Sequence, residues 1–471
     1  MAVSCIRRPG AFAIAVFLPL VLIFSACTMA PKYQRPDMPA PTSYHKGAGL
    51  FGSAASFVSW KSFFSDPAMQ RLIQVALDNN RDLRVAMLNV EKVRAQYQIS
   101  RADVLPTISA MGQSSNQSLP PPLSGGLRRD MVRQNTASVG ITNFELDLWG
   151  RIRSLSDAAL ETYYSAEDDA RTAQIALAAE VAATYLQLVA DKELLDITSN
   201  TYKNRKGQYD LVSNKFTSGV ASQLEVSQAK SIMEEARSNV ARYATRVGQD
   251  ENYLAFLIGA PMPGDLPDIR LLSKVNVLAN IPEGLPSALL ERRPDIQAAE
   301  HRLKAAYANI GAARANFFPT ISLTGQLGSI STQYTNLFDA HTGFWSFIPS
   351  VSLPLFDTGR NIARLEMSEA DRKIAVADYE KTVQNAFREV ADCLVQRQNI
   401  GAQMDAETEL LRSTTTSYNL ASARYDVGVD SYLNVLDAQR SLYAAQQSYI
   451  STKLLRETNA LTLFKALGGG W

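Results

Sequence analysis

The sequence predicts an α + β membrane protein with an internal duplication, in which very long helices alternate with pairs of antiparallel strands. Three observations predict it. Blocks of sequence recur in the same order a little over two hundred positions apart. Long stretches of each copy lack both glycine and proline. Between those stretches the hydrophobic period falls from 3.6 to 2.

The duplication is read first. Arg101-Ala-Asp-Val-Leu-Pro-Thr-Ile-Ser109 returns as Arg314-Ala-Asn-Phe-Phe-Pro-Thr-Ile-Ser322, and Gly219-Val-Ala-Ser-Gln-Leu-Glu-Val226 returns as Gly428-Val-Asp-Ser-Tyr-Leu-Asn-Val435. Gly150-Arg151 and Gly359-Arg360 form a third pair between them. The offset is 213 for the first block and 209 for the others, so a four-residue length difference lies between Ser109 and Gly150. The turn-rich Pro120-Pro-Pro-Leu-Ser-Gly-Gly126 falls there, where a surface loop varies freely.

The N-terminus reads as an address. Arg7 and Arg8 precede an apolar run and then Ser25-Ala26-Cys27, a secretory signal over 1–26. Ending on cysteine, it resembles a bacterial lipobox, in which Cys27 receives a diacylglycerol and an N-acyl chain. Thr28 after that cysteine implies delivery to the outer membrane. Past residue 26 no apolar run reaches the roughly 20 residues of a spanning helix, so membrane insertion is expected to use strands.

A segment 27–65 follows, then a first repeat over 66–258. The repeat is expected as a helix, strands near 107–114 and 137–147, a long helix 151–217 and a returning helix 222–258. After a connector 259–293, the second repeat 294–467 should carry a helix, strands near 320–328 and 344–354, a long helix 360–427 and a returning helix 431–467, with a tail 468–471. From 151 to 206 there is neither glycine nor proline, enough helix for about 80 Å. Ala158, Ala166, Ala170 and Ala173 let neighbouring backbones approach. Gly219 and Gly428 suit the left-handed residue that ends a helix, and Ser222 and Ser431 suit the N-caps of the returning helices.

The strands are read from alternation. Ile321, Leu323 and Leu327 alternate with Thr320, Ser322, Thr324 and Gln326, and Trp345, Phe347, Val351 and Leu353 share one phase. One apolar and one uncharged polar face is the pattern of a membrane-barrel strand. Trp345, Phe344 and Tyr334 could form an interfacial girdle. The second first-copy strand shifts phase near Thr142 and Asn143, and Pro349 and Pro354, lacking ladder donors, predict irregularity there. Four strands cannot close a barrel, and an open edge in lipid leaves backbone groups unsatisfied. Two, three or more copies are therefore needed.

Composition removes other functions. Forty-seven basic residues face 46 acidic ones, leaving no surplus to hold nucleic acid. His45, His301 and His341 are far apart, and no metal, phosphate-loop or nucleophile-elbow motif is present. No enzyme activity is expected. Once Cys5 leaves with the signal and Cys27 is acylated, Cys393 is the one free thiol and reads as a packed small hydrophobe.

The paired G-V-x-S tips, the lipobox, Lys32-Tyr-Gln-Arg-Pro36, Leu353-Pro-Leu-Phe-Asp-Thr-Gly-Arg360, Ala421-Ser-Ala-Arg-Tyr-Asp-Val-Gly-Val-Asp-Ser-Tyr-Leu-Asn-Val-Leu-Asp-Ala-Gln-Arg440 and the glycine-rich end resemble the TolC/OprM family of outer-membrane efflux channels, across essentially the whole mature chain. The resemblance implies a homotrimer with a 12-stranded outer-membrane β-barrel, four strands per chain, continuous with a periplasmic α-helical coiled-coil barrel. Segments 27–65 and 259–293 would form an equatorial belt. The implied function is exit duct of a tripartite efflux pump, with a periplasmic adaptor and an inner-membrane RND transporter as partners and outer-membrane lipid around the barrel. A type I protein-secretion duct and a structural coiled-coil envelope lipoprotein are the alternatives. Residue by residue, Leu433 and Asp437 match a periplasmic constriction, Tyr425 and Arg440 the contacts that lock it, and Glu225 the corresponding acid of the first copy. Asp430, Asn434 and Asp437, spaced i, i+4 and i+7, would share a helix face. Some family members carry an acid where this chain has Asn434. Gly219, Val220, Ser222, Gly428, Val429 and Ser431 would meet the adaptor. Blander roles compete: Ser222-x-x-Glu225 is also a capping box, Asp430 also suits a helix N-terminus, and Tyr425 also suits tip packing.

Overall fold

The computed structural model describes residues 28–37, 60–119, 130–264, 266, 271–272 and 292–469. The signal segment, Cys27, the 120–129 loop, most of the 259–293 connector and the last two residues lie outside the described residues. Two units are distinguished, one from residues 1–37, 90–166 and 298–379, the other from 38–89, 167–297 and 380–471.

In chain order the elements are α1 (Trp60–Phe63), α2 (Pro67–Asn79), α3 (Arg81–Ala102), β1 (Ile108–Leu119), β2 (Asp130–Glu145), α4 (Arg151–Thr217), α5 (Gln223–Ile258), α6 (Pro294–Ala315), β3 (Thr320–Ser331), β4 (Gly343–Ser352), α7 (Arg360–Asp426) and α8 (Tyr432–Ala466). The helices α4 and α7 have 67 residues each, about 100 Å of helix apiece. One stretch of α4 is, by length and composition, apolar enough to cross a bilayer, which corrects the expectation that none would be. That stretch is 56% buried against the chain's own helices, so it is core.

The first unit holds an antiparallel sheet in the order β1-β2-β3-β4. At the end remote from the helices the strands outrun the expected ones: β1 continues to Leu119 and β2 begins at Asp130, because backbone pairing persists where apolar alternation has stopped. At the other end β2 stops at Glu145 and β4 at Ser352, each two residues short of expectation. The register shifts between Ile141 and Phe144, with Asn143 at φ 53°, so the bulge brings Phe144 onto the face of Ile141. Pro349 corrects another expectation. It pairs in unbroken register with Leu323, because β4 is an edge strand and a missing donor is tolerated there. Pro354 falls beyond the end of β4. The girdle also needs correction: Trp345 lies opposite Leu327 but Phe344 lies opposite Gly328, so the two aromatics occupy opposite faces.

Sheet and helix are joined twice by the same device. Before α4, the Ile152 and Arg153 N–H groups donate to the Asp147 carboxylate at 3.1 and 2.9 Å. Before α7, the Gly359 and Asn361 N–H groups donate to Asp357 at 3.1 and 2.9 Å. Gly150 and Gly359 sit at φ 74° and 83°, which only glycine adopts without cost. Arg151 grips Glu145 through two hydrogen bonds of 2.8 and 2.6 Å. Ala158 of α4 packs against Ala305 and Ala308 of α6. Residues 28–37 also pack here: Arg35 pairs with Glu300 at 3.0 Å and donates to the Tyr379 hydroxyl at 3.2 Å.

The second unit holds the main hydrophobic core. Phe63, Phe64, Met69, Leu72 and Ile73 pack with Leu186, Val189, Leu254 and Phe464, and Phe63 stacks on Phe464 with ring centroids 4.2 Å apart. The helix opening the first repeat is broken at Asn80. That side chain accepts from the Leu83 N–H at 2.8 Å and donates to the Leu257 carbonyl at 2.8 Å. Arg293, buried, joins Asp295, Glu389 and the Ala466 carbonyl. Cys393 is buried, and that burial pushes its thiol up to about 11.

Candidate functional site

The candidate site is the pair of tips where α4 turns into α5 and α7 into α8. Both tips close alike. The Gly219 N–H donates to Phe216 and the Val220 N–H to Lys215; the Gly428 N–H donates to Tyr425 and the Val429 N–H to Arg424. Both glycines have φ 77°, the left-handed geometry of a helix stop.

The returning helices start differently. Ser222 forms a complete capping box: the Glu225 N–H donates to its hydroxyl at 3.3 Å, and its own N–H donates to the Glu225 carboxylate at 2.6 Å. Glu225 is therefore occupied at the start of its helix. Ser431 occupies the N-cap of α8 but makes no side-chain cap bond. Asp430 beside it is turned away from the helix start, because Arg424 takes its carboxylate at 2.5 and 3.3 Å. That guanidinium holds the Asp430 carboxyl below the usual range. Since α8 begins at Tyr432, Asp430 precedes the helix. Of the three residues expected on one helix face, Asn434 and Asp437 remain on the helix, both exposed.

Beneath the tips lies a small apolar cluster of Val212, Ala229, Ile232, Tyr432, Val435 and Leu436. Tyr425 packs on it, its ring 5.4 Å from that of Tyr432. The Lys215 ammonium lies 4.9 Å from the Tyr425 ring centre and donates to its hydroxyl at 3.4 Å. Burial pushes Tyr432 up to about 12.

Arg440 reaches Asp437 on its own helix, at 4.0 Å, with both side chains more than half exposed. A pair of that kind contributes about 1 kcal/mol or less. The expected contact among tyrosine, arginine and acid is thus not assembled within one chain: Tyr425 is engaged by Lys215, and Arg440 by Asp437. Leu433 is 54% exposed, and Val220 and Val429 are exposed at the two tips. A constriction built by Leu433 and Asp437 would need the same residues from other copies.

Sequence reasoning missed three cations. Lys215 and Arg424 lie in the last turns of their helices, where positive side chains suit the carbonyl end, and that placement is readable. Arg205 is not. It is 3% exposed, donates to the Ile232 carbonyl at 3.0 Å and to Glu235 at 3.2 Å, and stands 5.7 Å from the Tyr443 ring centre. Burial lowers its affinity for the proton, against the pull of Glu235.

The sequence profile of outer membrane efflux proteins matches residues 72–260 and 285–469. The chain is 45% identical over 454 residues to the probable efflux pump outer membrane protein TtgC of Pseudomonas putida, covering 95% of this chain and 94% of that one. It is 41% identical over 466 residues to outer membrane protein OprJ of Pseudomonas aeruginosa, covering 99% and 97%. Among solved structures, the open state of the MtrE outer membrane channel of Neisseria gonorrhoeae superposes with a TM-score of 0.86 at 37% identity, over 94% of this chain and 98% of that one.

Proposed function

The chain belongs to the outer membrane efflux protein family, and from that premise we propose how its residues make the outer-membrane exit duct of a tripartite efflux pump. It is a conduit of the outer membrane, assembled with a periplasmic adaptor and an inner-membrane transporter. The observation that carries the reading is the sheet. Its register sends Ile321, Leu323, Leu327, Trp345, Phe347 and Val351 to one face and Ser322, Thr324, Gln326, Ser346 and Ser350 to the other, while β1 and β4 keep open edges. Three copies supply twelve strands, so each open edge finds a partner and no backbone group is stranded in lipid. The apolar face then meets hydrocarbon, and the mainly polar face, which also carries Phe344 and Ile348, lines a passage that holds cargo weakly.

The finer assignments are ours. The transporter is proton-driven and of the RND class, the cargo is drugs or other small toxic compounds, and Cys27 carries the diacylglycerol and N-acyl chains. The duct is gated where Leu433 and Asp437 of three copies converge. Three carboxylates repel one another and favour a bound cation, and Asn434 adds no second ring of charge. Tyr425 and Arg440 hold the tip hairpins in the closed arrangement, with Glu225 as the corresponding acid of the first copy and Asp430 beside the gate. Gly219, Val220, Ser222, Gly428, Val429 and Ser431 present the surface that the adaptor takes. The supporting features are the exposed valines at both tips and the weak, exposed Asp437–Arg440 pair, which a docking partner displaces cheaply.

Deleting the gene should raise intracellular accumulation of a fluorescent efflux substrate, and plasmid-borne wild type should restore export. Unchanged accumulation of every substrate tried, with protein secretion lost instead, would reassign the duct.

A further inference from the structure

The apolar face of the sheet changes character along its length. Ile321 and Val351 form one row on that face, and Val139, Leu327 and Trp345 form another about 20 Å away. Beyond that second row the face turns small and then polar. Ala137 and Ser329 come next, then Asn135 and Ser331, then Asn116 with Arg133. This polar end is the one remote from the helices, because β1 and β3 leave α3 and α6 at their other ends and β2 and β4 run back there toward α4 and α7.

The connection after β3 folds over the polar end. Tyr334, in a single 3₁₀ turn, reaches across β2, and its hydroxyl hydrogen-bonds the Ser114 hydroxyl of β1 at 2.8 Å. Asn135 is left 4% exposed. Between loop and sheet lies a cavity of about 590 Å³, lined by residues that include Asn116, Met131, Arg133, Asn135, Gln333 and Tyr334. Arg133 is exposed, and among the described residues no carboxylate pairs with it.

One guanidinium, three carboxamides and a phenol, set directly above an apolar wall, suit a particular kind of molecule. It is anionic and rich in hydroxyls at one end and acylated at the other. A planar guanidinium binds a phosphate through paired hydrogen bonds, and carboxamides serve sugar hydroxyls as donor and acceptor. We propose that this cavity holds the headgroup of a phosphorylated glycolipid of the outer leaflet. The phosphate sits on Arg133 and the sugar on Asn116, Asn135 and Gln333, while the acyl chains lie along Val139, Leu327, Trp345 and Phe347. The proposal rests on the reading that the apolar face meets lipid, and it gives a trimer three such sites. A soluble phosphate would leave the apolar wall unused.

The test is native mass spectrometry of the detergent-purified trimer with hexa-acylated lipid A, with dephosphorylated lipid A, and with glucosamine 6-phosphate as competitor. Wild type should retain up to three lipid A molecules and prefer them over the dephosphorylated form at least roughly tenfold, the scale of hydrogen bonds to a charged group. Arg133→Gln should abolish that preference and Arg133→Lys should restore part of it. Equal retention of the two lipids by wild type, or an unchanged preference in Arg133→Gln, overturns the site. Displacement of lipid A by glucosamine 6-phosphate at equal concentration overturns the lipid as its occupant. Brominated acyl chains separate the two claims: the fluorescence lost in Trp345→Phe should be quenchable in wild type. Quenching without a phosphate preference rejects the headgroup site alone, whereas no quenching rejects the lipid-facing assignment beneath it.

Discussion

Asp250 on α5, facing Asp191 on α4, should make the first hairpin pH-sensitive. Asp191 is 2% exposed; its Oδ2 accepts from the Gln187 amide at 2.8 Å, and its Oδ1 has only the Arg246 guanidinium, at 4.0 Å. That oxygen and Asp250 Oδ2 are both buried, and no N–H or hydroxyl of the described residues donates to either. Burial, then the hydrogen bond to Asp191, push Asp250 from 3.8 up to about 6; Arg246 opposes this and Glu251, itself paired with Lys192, adds to it. The folded hairpin thus binds a proton between pH 3.8 and about 6 that the unfolded chain has released. Stability from this pair is full below the unfolded value and is lost as pH rises through about 6. Taken whole, the shift corresponds to about 3 kcal/mol; for a partly solvated pair, screening leaves about 1 kcal/mol. Asp250→Asn keeps a donor toward Asp191 and removes the titration. Hydrogen exchange of 187–195 and 246–254 reads the difference, because the ratio of wild type to variant cancels the intrinsic pH dependence. The ratio should be near one at pH 3.5, rise about fivefold by pH 6.5 and stay level above it. A ratio that stays level from pH 3.5 to 6.5 would refute the raised Asp250.

Replacing Asp437 and Arg440 together by Ala should raise single-channel conductance in planar bilayers while trimer stability changes by about 1 kcal/mol or less, given their exposed 4.0 Å contact; unchanged closed-state conductance would count against the gate. A Cβ at Gly140 would overlap the Gly325 carbonyl, so Gly140→Ala should abolish the heat-modifiable trimer on gels. Gly428→Ala forces an alanine to φ 77°, a cost of about 1–2 kcal/mol, and should weaken crosslinking of an adaptor to 425–432 more than to the first tip. Cys393, pushed up to about 11, should resist Ellman's reagent at pH 8 until the protein is denatured.

The repeats, the long helices and the glycine stops were legible because each leaves a local mark: recurring blocks, an unbroken helical run, a left-handed residue. Strand lengths were not. From Asp130 to Thr136, β2 holds its pairing through backbone hydrogen bonds, while Arg133 and Asn135 break the apolar pattern that alternation depends on. Phe344 was misplaced because adjacent aromatics alternate faces once the register is fixed. At the tips, sequence located the stops but not the cations. Lys215 meets Tyr425 across 210 positions, and Arg424 draws Asp430 away from the helix end, neither of which spacing along one helix reveals. Asp437 and Arg440 do share a helix, but what they close depends on other copies.

The central claim is that the sheet of one chain is completed by its neighbours. Hydrogen exchange of the outer-membrane-extracted particle at the edge strands, Ile108–Leu119 and Gly343–Ser352, tests it most directly, with the particle mass measured on the same sample. A particle of three chains whose outward-facing edge amides exchange as slowly as those of β2 and β3 is the predicted result. A single chain, soluble without detergent and with edge amides that exchange within seconds, would contradict it.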